Sequence, residues 1–322
     1  MATATQSVPG RARTFLHGVR GGDQIAYLVT FLFAASVVLI TVLLVFELWT
    51  KSGLAIHKFG FSFLRTSTWD PVNDEFGALP FIYGTIVTSV LGLIISVPLG
   101  VGAAIFLSEL APPRLSNTLT FLVELLAAVP SVIFGVLGFF ALVPLMRDHV
   151  QPALISAFGW SPFFKGPAYG VGVLTASMVL AIMMFPYIIS ISREALIQVP
   201  REQKEAALAL GATRWEATWD AVVPFARLGI VGSVFLSLAR ALGETMAVTM
   251  VIGNDPKINS SILAPGYTIA SVIANEFTEA TSDLHLAALV ELGLVLFLIT
   301  MILNGLGQLL LLLTTKPGTA KS

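Results

Sequence analysis

The sequence predicts an all-α polytopic membrane protein with six transmembrane helices and a cytoplasmic helix–turn–helix loop between the fourth and fifth. Three observations carry that fold class. Only 11% of the 322 residues are charged, 18 Lys or Arg against 19 Asp or Glu, where soluble domains carry roughly 25%. The hydrophobic share is 56% and the mean hydropathy +0.86, too apolar for a surface that faces water. The charges also collect between six apolar runs, each at least as long as the ~20 residues a bilayer-crossing helix needs.

Taken in order, Ile25–Phe46 is charge-free and outruns the apolar core of a secretory signal, so Arg11, Arg13 and Arg20 precede an uncleaved first span. Phe76–Ser108 is too long for one span, and its front (Gly77, Pro80, Gly84) is expected to be an approach segment. The third span is expected from Asn117 to Met146, with Glu124 as its only charge and Pro130-Ser131 as a mid-span kink. Gly166–Ser192, with Pro186 inside it, is the fourth. Pro224–Ile252, carrying Arg240 and Glu244, is the fifth, and Leu292–Thr315 the sixth. Residues 1–23 read as a cytoplasmic tail and 24–315 as one transmembrane domain. Eleven Lys and Arg flank the spans on the side of the termini and six on the other, which expects both termini in the cytoplasm. The external connections near 50–76, 147–165 and 253–285 are rich in Trp, Phe, Pro and Gly; they are either interfacial belts or a surface for an external partner.

Several chemistries are excluded. There is no cysteine, hence no disulfide scaffold or thiolate metal site. No G-x-x-x-x-G-K-[ST] phosphate loop occurs, so nucleotide hydrolysis is not expected in this chain. His17, His57, His149 and His285 are too dispersed for a metal site. With a net charge of −1 and no basic block, no nucleic-acid partner is expected. The chain reads as a non-enzyme with no catalytic residue, metal or cofactor, and with the lipid bilayer as its surroundings.

The loop over residues 199–224 carries the strongest local signal. Glu205-Ala206-Ala207-Leu208-Ala209-Leu210-Gly211 favours a helix that stops at glycine. A second short helix then places Trp215 and Trp219 on one face before Pro224. From residues alone this is either an interfacial amphipathic element or a docking element whose alanines let another protein approach closely. Inside the membrane, a charge costs about 2.5–3.5 kcal/mol on insertion scales. Arg240 stands about 24 Å along a helix from Pro224, with Glu244 one turn further on the same face. They read as a neutralising pair that fixes packing or as a pair with a transport role. Glu124, near the cytoplasmic surface, is either wetted, capped by Arg114 or Arg193, or functional.

The pattern Glu205-Ala206-Ala207…Gly211…Pro224 resembles the cytoplasmic coupling loop of binding-protein-dependent ABC importer permeases. Trp69-Asp70-Pro71, Phe76–Pro80 and Tyr83-Gly84-Thr85 look like the start of the type-1 permease core of phosphate importers, here about residues 80–312. Glu124–Ser131 with Gly135 is similar to their third-span motif, and Arg240–Val248 resembles the PstC-type subunit rather than its PstA-type partner. The resemblance implies half of an inorganic-phosphate pathway in the bacterial inner membrane. It also implies a heterodimer with a PstA-type permease, two copies of an ATP-binding subunit and an external phosphate-binding protein. By the same resemblance Glu205, Ala206, Ala207, Gly211 and Pro224 would serve ATPase coupling, and Arg240, Glu244, Glu124 and Ser131 the substrate pathway. A proton-coupled secondary anion transporter and a non-transporting scaffold or sensor subunit remain as alternatives, with a sulfate or molybdate importer as the rival of the same class.

Overall fold

The computed structural model describes residues 23–314. Among them, six helices are long and apolar enough to cross a membrane, and the chain divides after Lys51 into two units. The first unit contributes α1, Asp23–Lys51. Thr30, Ser36, Thr41 and Thr50 each donate a hydroxyl to a carbonyl three or four residues back, which satisfies these groups within the helix, as hydrocarbon surroundings require.

The second unit begins with α2, Gly53–Phe59, and a short hairpin of β1 (Trp69–Asp70) and β2 (Glu75–Phe76) in which Trp69 faces Phe76. Then come α3, Leu79–Leu110, α4, Pro113–Ala127, α5, Ser131–Phe158, and α6, Val173–Ile197. The short α7, Arg201–Ala209, precedes α8, Arg214–Leu242. The chain closes with α9 (Met246–Ile252), α10 (Ile269–Glu276) and α11 (Asp283–Thr314).

Several expected boundaries move. Pro80 and Gly84 belong to α3 itself. The third span does not begin at Asn117: α4 ends at Ala127 and α5 starts at Ser131. Pro130 is therefore the N-cap of the span and not a mid-span kink. Glu124 sits on α4 before the span, exposed, and neither Arg114 nor Arg193 pairs with it. Pro186 does lie inside its span. The expected second short helix of the loop is continuous with the fifth span as α8, and that span ends at Leu242 rather than running to Ile252. The sixth begins already at Asp283.

Continuity through proline is achieved by π turns. Four wide turns, Phe106–Leu110, Gly138–Leu142, Met146–Val150 and Thr218–Val222, each end one residue before an X–Pro step. A proline cannot donate to the carbonyl four residues back and its ring crowds that carbonyl. One extra residue in the preceding turn moves the hydrogen-bonding register out of its way. Within α5 and α8 the helix then runs on through Pro144, Pro152 and Pro224.

The central seam joins α3 and α6. A Cβ at Gly100 would lie 2.8 Å from Ile188 Cγ2, and one at Gly92 3.3 Å from Leu180 Cβ. Lipid is as apolar as this core, so the seam is held by close van der Waals packing and not by transfer from water. At the hairpin end, Glu276 Oε2 accepts from Trp69 Nε1 (2.8 Å) and His285 Nε2 (3.1 Å), while Phe76 stacks on His285. Tyr267 beneath them accepts from Asn275 Nδ2 at 2.9 Å, and burial pushes its phenol up to about 12.

Candidate functional site

Two places combine broken backbone with charge. The first is the turn around Gly211. Here α7 starts after extended Pro200 and ends in a Schellman motif: Gly211 N donates to Leu208 O at 3.0 Å and Ala212 N to Ala207 O at 3.2 Å. Gly211 has φ +91°, and a Cβ there would meet nothing within 4 Å. The glycine is thus required by backbone conformation, as a helix that stops at glycine implies, and not by crowding. Thr213 restarts the chain as an N-cap. Its Oγ1 accepts from Glu216 N (3.3 Å) while Glu216 Oε2 accepts from Thr213 N (2.7 Å), a capping box written as Thr-Arg-Trp-Glu. That signal was present in the sequence and stiffens the turn beyond what Gly211 alone implies.

Around this turn the surface is apolar and open. Leu210 is 91% exposed, and Trp215 and Trp219 are 54% and 45% exposed, with ring centroids 5.5 Å apart. Glu205 and Ala206 are exposed and Ala207 half-buried. Pro224 lies in the first turn after the π turn Thr218–Val222. Exposed apolar side chains clustered in this way are a candidate surface for another protein.

The second place is the end of α8. The helix stops at Leu242, Gly243 caps it, and α9 begins at Met246. Glu244 is therefore not one helical turn beyond Arg240 on a shared face. Its Oε1 accepts from Ala247 N at 3.4 Å, and among the described residues it makes no ion pair with Arg240. Arg240 instead lays its guanidinium over the ring of Tyr187, 4.5 Å from the centroid. Tyr187 Oη donates to Ala127 O at 3.2 Å, the last residue of α4 before the break at Ala128–Pro130.

Two separate sequence motifs, Glu124–Ser131 and Arg240–Val248, thus meet through one tyrosine that sequence reasoning did not single out. Its only signal was a phenol beside Pro186 in an apolar run. The start of α5 also packs on α9: a Cβ at Gly135 would lie 2.7 Å from Met250 Sδ and 3.0 Å from Ala247 Cα. Ser131, the first residue of α5, is half-buried. Irregular backbone at membrane depth is tolerated only where protein buries it or water lines it, and broken helices are where transporters build substrate sites.

Comparison with known proteins points the same way. A family model described as "Binding-protein-dependent transport system inner membrane component" matches residues 96–311. The chain is 48% identical over 285 residues to the phosphate transport system permease protein PstC of Mesorhizobium japonicum, covering 86% of this chain and 87% of that one. It is 47% identical over 277 residues to the protein of the same name from Pasteurella multocida, covering 85% of each. Among solved structures, an inward-facing MetNI methionine ABC transporter chain matches with TM-score 0.57 at 16% identity, over 77% of this chain and 100% of that one. A chain of a bacterial ABC transporter for alginate matches with TM-score 0.57 at 16% identity, over 92% and 98%. At that identity the likeness is one of fold.

Proposed function

The chain belongs to the binding-protein-dependent transport system inner membrane components, and on that premise we propose that it is the PstC-type half of the pathway that carries inorganic phosphate through an ATP-driven importer. It is a multi-pass inner-membrane permease component and not itself an enzyme. In this reading both termini are cytoplasmic. ATP hydrolysis resides in two copies of a separate subunit, a PstA-type permease forms the other half, and an external binding protein delivers phosphate to the hairpin end. The core of about 80–312 forms the path, and the cytoplasmic tail 1–23 lies outside the described residues except for Asp23.

The observation that carries the proposal is Arg240, without an ion-pair partner among the described residues, beside two helix breaks. Phosphate at neutral pH is an anion, and an isolated anion crosses hydrocarbon only at prohibitive cost. A guanidinium fork holds two phosphate oxygens at once, and the face of Tyr187 keeps that fork in place while the path is empty. Glu244, half-buried after the break, accepts from Ala247 N and fixes the start of α9 close to Arg240 in the chain. Ser131 and Glu124 frame the facing break. Glu205, Ala206, Ala207, Gly211 and Pro224 build the element that docks on the ATPase, with Leu210, Trp215 and Trp219 as its apolar contact.

The test is uptake of labelled phosphate into proteoliposomes assembled from this chain, the PstA-type permease, the ATPase and the binding protein. Uptake should require every component and ATP. Uptake by this chain alone under a proton gradient would make it a secondary transporter, and assembly without uptake would make it a scaffold.

A further inference from the structure

A partly buried ion pair joins the end of α3 to α7. Glu109 stands in the π turn Phe106–Leu110 that ends α3, and its side chain is only 9% exposed. Its Oε2 is paired with Nζ of Lys204, the residue before Glu205 on α7, whose side chain is 33% exposed. A carboxylate buried to that degree without its cation is strongly destabilised, so the pair holds the two elements together. Among the described residues it is the one side-chain hydrogen bond or ion pair between α7 and a spanning helix.

The end of α3 is also gripped from its other neighbours. Ser116 Oγ on α4 donates to Leu107 O at 2.7 Å, and Arg193 of α6 donates to Ser116 Oγ at 3.4 Å. Beyond this node α3 is locked to α6 at Gly92 and Gly100. A push on α7 reaches α6 and α8 through the backbone, at Gln198–Pro200 and Leu210–Thr213. It reaches α3, which is not its neighbour in sequence, only across space.

We propose that the Lys204–Glu109 pair is the tie that carries movement of α7 to α3, making both residues positioning residues of the transport cycle. The inference rests on α7 being the ATPase-docking element. Ties of this kind transmit coupling through two-state packed elements. Without the tie the ATPase still docks and turns over, but α3 no longer follows.

The experiment uses the complete reconstituted importer and reads phosphate moved per ATP hydrolysed. Lys204→Gln and Glu109→Gln should each lower that ratio about tenfold, with normal copurification of the ATPase and normal ATP turnover. The chain has no cysteine, so Glu109→Cys with Lys204→Cys can be joined selectively when the partner subunits are cysteine-free. The reduced pair should be uncoupled, and a short bis-maleimide bridge should restore the ratio. An unchanged ratio in the glutamine variants, or a bridge that restores nothing, overturns the tie. The docking premise is read separately: Leu210→Asp should release the ATPase from the complex, and if it does not, the premise fails whatever the ratio shows.

Discussion

Replacing Gly211 by valine isolates the turn from everything else in the protein. At φ +91° a side chain pays roughly 1–2 kcal/mol to stay in the left-handed region. Escape from that conformation breaks the Gly211–Leu208 and Ala212–Ala207 hydrogen bonds, at about 1 kcal/mol each. Either route costs about 1–2 kcal/mol, which shifts the population of the closed turn by roughly 5–30-fold. The nine-residue α7 is too short to hold its shape alone, so the loss falls on docking geometry and not on the spans. Phosphate transport per assembled complex should drop at least fivefold while membrane insertion and expression stay normal. Because no atom lies within 4 Å of the Cβ position, damage should follow backbone tolerance and not volume. Asparagine, which visits left-handed conformations, should retain the most activity, alanine less and valine least. Uptake at the wild-type rate by Gly211→Val, or an alanine variant better than asparagine, would refute the reasoning.

Arg240→Gln should abolish phosphate uptake with subunit levels unchanged on a blot, and Arg240→Lys should recover little because an ammonium lacks the planar fork; Glu244→Gln should slow uptake by weakening the charge-assisted bond that fixes the start of α9. Tyr187→Phe keeps the ring under Arg240 and should retain most uptake, whereas Tyr187→Leu loses a contact of about 0.5–2 kcal/mol and should lower uptake severalfold. Gly84→Ala drives a Cβ to 2.1 Å from Tyr267 O and should cost on the order of 1–3 kcal/mol, read as a lowered unfolding temperature in detergent. In the hairpin, the Asn73 side chain, followed by the Val72 and Asn73 amides, holds the Asp70 carboxyl below 3.8. Its contribution is therefore present above that value and lost as pH falls through the lower folded one. Pepsin should cut the 69–76 segment increasingly as pH falls below the ordinary aspartate range, and Asp70→Asn should flatten that dependence.

The six spans were legible because hydropathy needs only length and charge, and the turn at Gly211 because an Ala-rich run ending in glycine has one local solution. The start of the third span was not: Ala128, Val129 and Pro130 are as apolar as their neighbours, so no window average registers the break between α4 and α5. The union of the loop helix with the fifth span was hidden for another reason. A proline at 224 signals a helix start, and only the π turn before it lets the helix pass. The Arg240–Glu244 spacing suggested a face that Gly243 dissolves, since a four-residue step has meaning only inside an unbroken helix. Tyr187 was illegible because its role depends on two partners, Ala127 and Arg240, that are distant in the chain.

The π turn at Thr218–Val222 has a consequence for phase. An α-helix advances about 100° per residue, so one surplus residue acts like a single tooth added to a gear. It sets the angle between Trp215 and Trp219 at one end of α8 and Arg240 near the other. Removing that tooth would leave both ends chemically intact and swing Arg240 by more than a quarter turn away from Tyr187.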